Sequence, residues 1–195
     1  MANATKQTIQ DFYTAASSRD FTRDVQFRIL SISPGGTTTT YDDSDLVYAR
    51  SMSLPGRNIG NVPVKYMGLT FNLPGMATYP GSDNYEIEFY AEANSALYKK
   101  FQQWSRDTFD DKDSTGNYLT PIAASTIDLV QLNNNFELVN QFQLVGVSIR
   151  NLGALAYTPG TEGSGGNILS FKVSLAYHYW KAADAATVPP VAAAT

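Results

Sequence analysis

The chain has no cysteine and a single histidine, His178. Without cysteine there is no disulfide framework, thiolate zinc site, iron–sulfur cluster or cysteine nucleophile. With one histidine, a two-histidine metal site cannot come from one chain, and a serine–histidine triad would have to use that one imidazole. Long apolar runs are also missing. None approaches the ~20 residues that span a bilayer as a helix, so no membrane anchor is expected. Residues 1–8 lack a continuous apolar stretch, so no secretory leader is expected either. Charge is scarce, at 16% of residues against roughly 25% in an average domain. Eighteen acids against 14 bases leave a net charge of −4 and a pI of about 4.9. That balance argues against a generally nucleic-acid-binding surface, which needs clustered cations.

What is present is apolar and aromatic. Of 195 residues, 43% are hydrophobic and 12% aromatic, enough for one substantial core and too much for wholesale disorder. Ile9, Phe12, Tyr13 and Ala16 recur at spacings of three and four and predict a short amphipathic helix, with Asn3 as a candidate cap. Period two then takes over. Val25, Phe27 and Ile29 alternate with Gln26 and Arg28, the pattern of a half-buried strand. Residues 45–54 read as a second strand. Residues 61–71 read as a third extended stretch, with Val62, Val64 and Tyr66 on one face. Pro74-Gly75 and Pro80-Gly81 read as turns.

Tyr85, Ile87 and Phe89 alternate with Glu86, Glu88 and Tyr90, the clearest strand in the chain. Ala93, Leu97, Phe101 and Trp104 then mark a helix over 94–109, with Asn94 as its cap. Residues 110–121 read as a polar loop. Strands are expected at 127–132 and 136–149, joined by Asn133-Asn134-Asn135. A glycine-rich loop over 158–167 precedes one long final strand at 168–180. Residues 1–181 form one domain in this reading, and the Ala/Pro-rich 182–195 form a tail. The fold class expected is mainly β: a two-sheet sandwich or barrel with a short N-terminal helix and one central helix.

No catalytic motif is complete. Asp111, Asp113 and Gly116 open like a calcium loop, but Leu119 and Ile122 stand at its ninth and twelfth positions, where the twelfth requires a bidentate carboxylate. The glycines between Gly160 and Gly166 lack a following Gly-Lys-Ser/Thr and lead into a strand rather than a helix N-terminus. Glu86 and Glu88, two apart on one strand face, fit a solvated surface better than a glycosidase pair. His178 has no acid or nucleophile at an informative spacing. No enzyme, cofactor or metal site is expected. The strands are numerous and aromatic, with small or uncharged residues on both faces, as in 48–53 and 174–177. Such faces suit a sheet extended or covered by another copy of itself.

These residues, in order, resemble the major tail tube proteins of contractile-tailed bacteriophages (myoviruses). The resemblance is carried by Phe21-Thr22-Arg23-Asp24-Val25-Gln26-Phe27-Arg28-Ile29 after a short helix, and by Ala49-Arg50-Ser51-Met52-Ser53-Leu54-Pro55-Gly56. It continues through Val64-Lys65-Tyr66-Met67-Gly68 with Leu73-Pro74-Gly75, which looks like the family's long hairpin. Tyr85-Glu86-Ile87-Glu88-Phe89-Tyr90 leads into a helix ending Phe101-Gln102-Gln103-Trp104. Val145-Gly146-Val147, Asn151-Leu152-Gly153 and 171–180 complete it. Ile149-Arg150 stands where the family carries a proline, and Ala154 where it carries an acid.

The resemblance implies the tail-tube type of β-barrel and a hexameric ring that stacks into a tube. Its partners would be other copies of itself, a surrounding sheath protein, and baseplate and tape-measure proteins. DNA would pass through the lumen without specific binding, and the protein would be located in the virion. Glu86 and Glu88 are expected among the lumen-facing acids. The segment 57–80 is expected to make contacts between rings, through Arg57, Asn58, Val64, Lys65, Tyr66, Met67, Pro74 and Gly75. Three alternatives stay open: an initiator or terminator ring of the same fold, a secretion- or injection-system tube, and a glycan-binding β-sandwich that stacks sugars on its tyrosines.

Overall fold

A computed structural model describes residues 8–19, 21–116, 124–157 and 168–183. The chain is mainly β, with two four-stranded antiparallel sheets around one core. In chain order the elements are α1 (Ile9–Arg19), β1 (Phe27–Ser33), α2 (Asp43–Leu46), β2 (Ala49–Ser51), β3 (Asn58–Tyr66), β4 (Leu69–Thr78) and β5 (Tyr85–Tyr90). There follow α3 (Ala96–Thr108), β6 (Phe109–Asp110), β7 (Thr115–Gly116), β8 (Thr126–Leu132), β9 (Leu138–Val145), β10 (Ser148–Leu152), β11 (Ser170–Ala176) and β12 (Tyr179–Ala183). One sheet has the order β1-β8-β9-β12 and the other β10-β11-β5-β2; β3-β4 and β6-β7 are separate two-stranded ribbons.

The core follows the sequence patterns most closely in the middle of the chain. Tyr85, Ile87 and Phe89 of β5 are buried against Phe171, Val173 and Leu175 of β11. From α3, Leu97, Phe101 and Trp104 close over them. Phe89, Phe101 and Phe171 pack with ring centroids 5.2–6.1 Å apart. Each fully buried side chain of this kind stabilises by about 1.5–3 kcal/mol before entropy is charged. The cap of α3 falls one residue later than the expected Asn94: Asn94 Oδ1 accepts the Ala96 N–H at 3.0 Å, while Glu92 Oε2 accepts that of Leu97 at 3.2 Å. The cap proper, Ser95, has φ +53°.

Several expectations are corrected. The strand read over 45–54 shrinks to Ala49–Ser51, because α2 forms ahead of it. There Asp45 accepts the Asp42 N–H at 2.8 Å and a 2.6 Å bond from Lys100 Nζ, and this local acid network overrides the alternation. Val25 lies outside β1 and is exposed, whereas Ile29 and Ile32 are buried. A bulge between Ile29 and Ser31 changes the parity of the strand. Pro74-Gly75 is no turn; both residues lie within β4, and the reversal is at Met67-Gly68. The polar 110–116 stretch forms the small β6-β7 hairpin. Asn3, Leu119, Ile122 and the 158–167 loop lie outside the described residues. In the described start of α1, Thr8 is the cap: Asp11 Oδ2 accepts its N–H at 2.9 Å, and Thr8 Oγ1 accepts the Asp11 N–H at 3.2 Å.

The largest correction concerns the two long strands. Each is two strands in different sheets. β9 pairs with β12 in one sheet and β10 with β11 in the other, so one ribbon passes between sheets and bends at 146–147 and 177–178. Gly146 makes the bend possible at φ +72°. Its N–H and that of Val147 both reach the Ser125 carbonyl, at 3.0 and 3.4 Å, and the His178 N–H reaches the Val145 carbonyl at 3.0 Å. β12 carries the chain to Ala183, two residues into the segment read as a tail; 184–195 lie outside the described residues.

Candidate assembly surfaces

The segment 57–80 is dominated by one hairpin that lies away from the core. β3 and β4 pair from Tyr66↔Leu69 down to Asn58↔Thr78, with a bulge opposite Gly60. Met67 at φ +48° and Gly68 at φ +80° make the two-residue turn, the I′ pattern whose twist matches paired strands. The register then sorts the side chains. Val62, Val64, Tyr66, Leu69, Phe71 and Leu73 share one face, and all are between 42 and 65% exposed. The opposite face carries Pro63, Lys65, Thr70 and Pro74, with an Asn61 Nδ2 to Asn72 Oδ1 hydrogen bond at 3.0 Å. The hairpin is therefore amphipathic, with its apolar side left open by the described residues.

Its base is fixed to the body. Trp180 Nε1 donates to the Gly56 carbonyl at 3.0 Å, and the Tyr85 hydroxyl donates to the Ser53 carbonyl. Pro55 is buried beside them. Burial drives the Tyr85 hydroxyl well above the ordinary tyrosine pKa, so it stays a donor at any physiological pH.

Of the expected contact residues, Arg57 and Asn58 sit at the base, Val64 and Tyr66 on the apolar face, and Lys65 on the polar face. Met67 is the tip, 85% exposed. Pro74 and Gly75 lie in the returning strand. Sequence reasoning missed Leu69, Phe71 and Leu73 as partners of that face. Their signal was the alternation after Gly68, hidden by assigning the reversal to Pro74-Gly75.

Glu86 and Glu88 do share the outward face of β5, as expected from the inward set Tyr85, Ile87 and Phe89. Neither acid stands alone. Lys172 on the neighbouring strand lies 3.1 Å from Glu86, and Arg50 lies 2.8 Å from Glu88. Ser170 Oγ donates to Glu88 at 2.6 Å. That hydroxyl, ahead of the opposing cost of burial and the added pull of Arg50, holds the Glu88 carboxyl below its usual pKa. Two acids and two bases make this patch locally neutral.

The third surface is α1. Ile9, Phe12 and Tyr13 are 77, 59 and 63% exposed, and none of the helix is buried. Among the described residues Phe12 makes ring contacts with Tyr13 at 6.1 Å and Phe21 at 6.0 Å. His178 is exposed beside the ribbon bend. Among the described residues no three His, Cys, Asp or Glu side chains are grouped to hold a metal ion, and no helix is long and apolar enough to cross a membrane.

Two four-stranded antiparallel sheets joined by a bent ribbon, with one helix over the core and a free hairpin, define a mainly β fold seen in contractile injection machinery. The chain is similar to a subunit in the cryo-EM structure of the anti-feeding prophage baseplate, with TM-score 0.55 and 14% identity over 81% of this chain and 92% of that one. It is also similar to a chain of the sheath/tube terminator of an extracellular contractile injection system, with TM-score 0.51 and 11% identity over 83% and 96%. A third likeness is to the tube-terminating cap of the anti-feeding prophage, with TM-score 0.52 and 11% identity over 95% and 100%. No protein-family model matches the chain, and no curated protein matches it. At these identities the likeness is one of fold.

Proposed function

We propose that the chain is a non-catalytic structural subunit of the inner tube of a contractile phage tail, forming hexameric rings that stack around a DNA-conducting lumen. The observation that carries this reading is the amphipathic β3-β4 hairpin, taken with the shared fold. An isolated two-stranded hairpin is marginally stable in water, so one held out with six apolar side chains uncovered is built to be buried by another molecule. Contacts between rings through 57–80 provide that burial. A sheath protein would surround the tube, with baseplate and tape-measure proteins as the other partners, all within the virion.

Glu86 and Glu88 are assigned to the lumen wall. Paired with Lys172 and Arg50, they make that part of the wall mixed in charge rather than acidic. It then offers passing DNA no run of free cations to adsorb to. A map that places both carboxylates under the sheath would remove them from the wall.

A second reading is a terminator or cap ring of the same fold, favoured by the likeness to a sheath/tube terminator and a tube-terminating cap. Copy number in the particle separates the two, since a cap needs one ring and a tube many. Negative-stain microscopy of the purified protein tests the class. Hollow rings or tubes are expected, and deleting the hairpin beyond Val62 and Leu73 is expected to abolish polymerisation and leave a folded subunit. Monomers that persist at high concentration, or monomers that saturably bind glycans, would overturn the reading.

A further inference from the structure

We propose that the apolar face of the β3-β4 hairpin is covered by helix α1 of a neighbouring copy. This names the receptor for the hairpin and rests on the ring-forming reading above. Both surfaces are secondary structures that are marginal on their own. An isolated helix shorter than ~12–15 residues is barely populated in water, and α1 has 11 residues. Among the described residues the hairpin is a two-stranded sheet with no third strand. Each presents an apolar face that the described residues of its own chain leave exposed, so each gains order by packing on a further surface.

The two faces match in size and kind. Three cross-strand pairs, from Tyr66↔Leu69 to Val62↔Leu73, extend over roughly 14 Å at strand rise. The α1 stripe from Ile9 to Ala16 extends over roughly 10 Å at helix rise, and Phe21 lengthens it beside Phe12. Six side chains at about half exposure offer on the order of 500 Å² of apolar surface. That is more than half of the roughly 800 Å² that each side of a stable interface buries. The aromatic rings Phe12 and Tyr13 on one side and Tyr66 and Phe71 on the other are the residue types that anchor such contacts.

Strand addition is disfavoured as the mode of contact. A two-residue turn makes Tyr66↔Leu69 a hydrogen-bonded pair, which places Pro63 and Pro74 at non-hydrogen-bonded positions with their nitrogens facing outward. Each proline therefore removes a donor from a free edge. The apolar face is left as the adhesive part. Because the two matching surfaces are different patches of one chain, the contact is heterologous, and such contacts propagate into rings or stacks rather than closing as a dimer.

The absence of cysteine makes a direct test possible. Ile9→Cys and Leu69→Cys variants are prepared separately, mixed, allowed to assemble and treated with a short bismaleimide, with particles scored in parallel by negative stain. The mixed dimer is expected to exceed either homodimer at least tenfold. Rings or tubes in which only Leu69→Cys homodimers form, or in which no mixed dimer forms, would overturn the helix receptor and leave the ring reading standing. No assembled particles and no cross-link would overturn both. Phe12→Asp supplies a second measurement: assembly is expected to be lost while the unfolding midpoint of the monomer stays within about 1 °C, since no described residue of α1 is buried in the monomer. A Phe12→Asp chain that still assembles as wild type would refute the contact.

Discussion

Gly146 faces the imidazole of His178 so closely that a methyl group on Gly146 would lie 2.9 Å from its Cγ and 3.1 Å from its Nε2. These two residues stand where the two strands of one ribbon leave one sheet for the other. The bend brings the backbones together, and only a residue without Cβ, able to hold φ +72°, fits the inner side. The only histidine in the chain thus has a steric role at a corner, with its ring outside the core.

Gly146→Ala is expected to destabilise the subunit by about 3 kcal/mol, from left-handed backbone strain plus overpacking against His178. In a double-mutant cycle, His178→Ala should recover about half of that loss, because it removes the clash and leaves the strain. Denaturant unfolding of the four proteins checks this. Equal losses in the single and double variants would show that the ring is not the obstacle.

Met67 holds φ +48° at the hairpin turn, where asparagine is preferred before glycine. Met67→Asn is expected to stabilise the hairpin by roughly 0.5–1 kcal/mol, read as slower amide exchange in 62–73 with no change in the body. Faster exchange would contradict the turn assignment.

Asp45 is buried, and Lys100 Nζ reaches it at 2.6 Å. Lys100→Met is expected to cost about 3 kcal/mol, because it strands a carboxylate that keeps only the Asp42 N–H. Adding Asp45→Asn should return most of the loss. Thermal unfolding measures both, and a neutral Lys100→Met would mean that the pair is dispensable.

The Glu88 carboxyl has a depressed pKa, chiefly through the Ser170 hydroxyl. A folded-state pKa below the unfolded value contributes stability above the unfolded pKa of about 4.3, and this is lost as pH falls through the folded value. Ser170→Ala should raise the Glu88 midpoint in a carboxyl NMR titration and flatten the acid-range slope of unfolding free energy. An unmoved midpoint would assign the shift to Arg50 instead.

Much of the core was legible because its patterns are local. The alternation of Tyr85, Ile87 and Phe89 and the three- and four-residue spacing of Leu97, Phe101 and Trp104 each describe one face of one element, and those faces are buried. The helix of Ile9, Phe12, Tyr13 and Ala16 was equally legible, although its apolar face is open in the subunit. The assembly surface was half legible. Val62, Val64 and Tyr66 stood out on one strand, but Leu69, Phe71 and Leu73 could join them only once the turn was placed at Met67-Gly68. The acids Glu86 and Glu88 were read correctly as outward, while their cations, Arg50 and Lys172, come from strands 38 and 84–86 residues away in the chain and left no local trace.

The sequence by itself determined the mainly β character, the central helix, the inward and outward faces of β5 and β11, and the want of any cysteine or two-histidine chemistry. Tertiary structure alone decided where strands change sheet, which charges neutralise one another and which apolar faces stay open. The physical reason is that alternation reports the side on which a residue lies, whereas sheet membership depends on pairing. Residues 138–152 and 170–183 keep an almost continuous strand pattern through the bend. The Ser125 carbonyl accepting from Gly146 and Val147, the Val145 carbonyl accepting from His178 and the Ser82 carbonyl accepting from Tyr177 divide each stretch between two sheets.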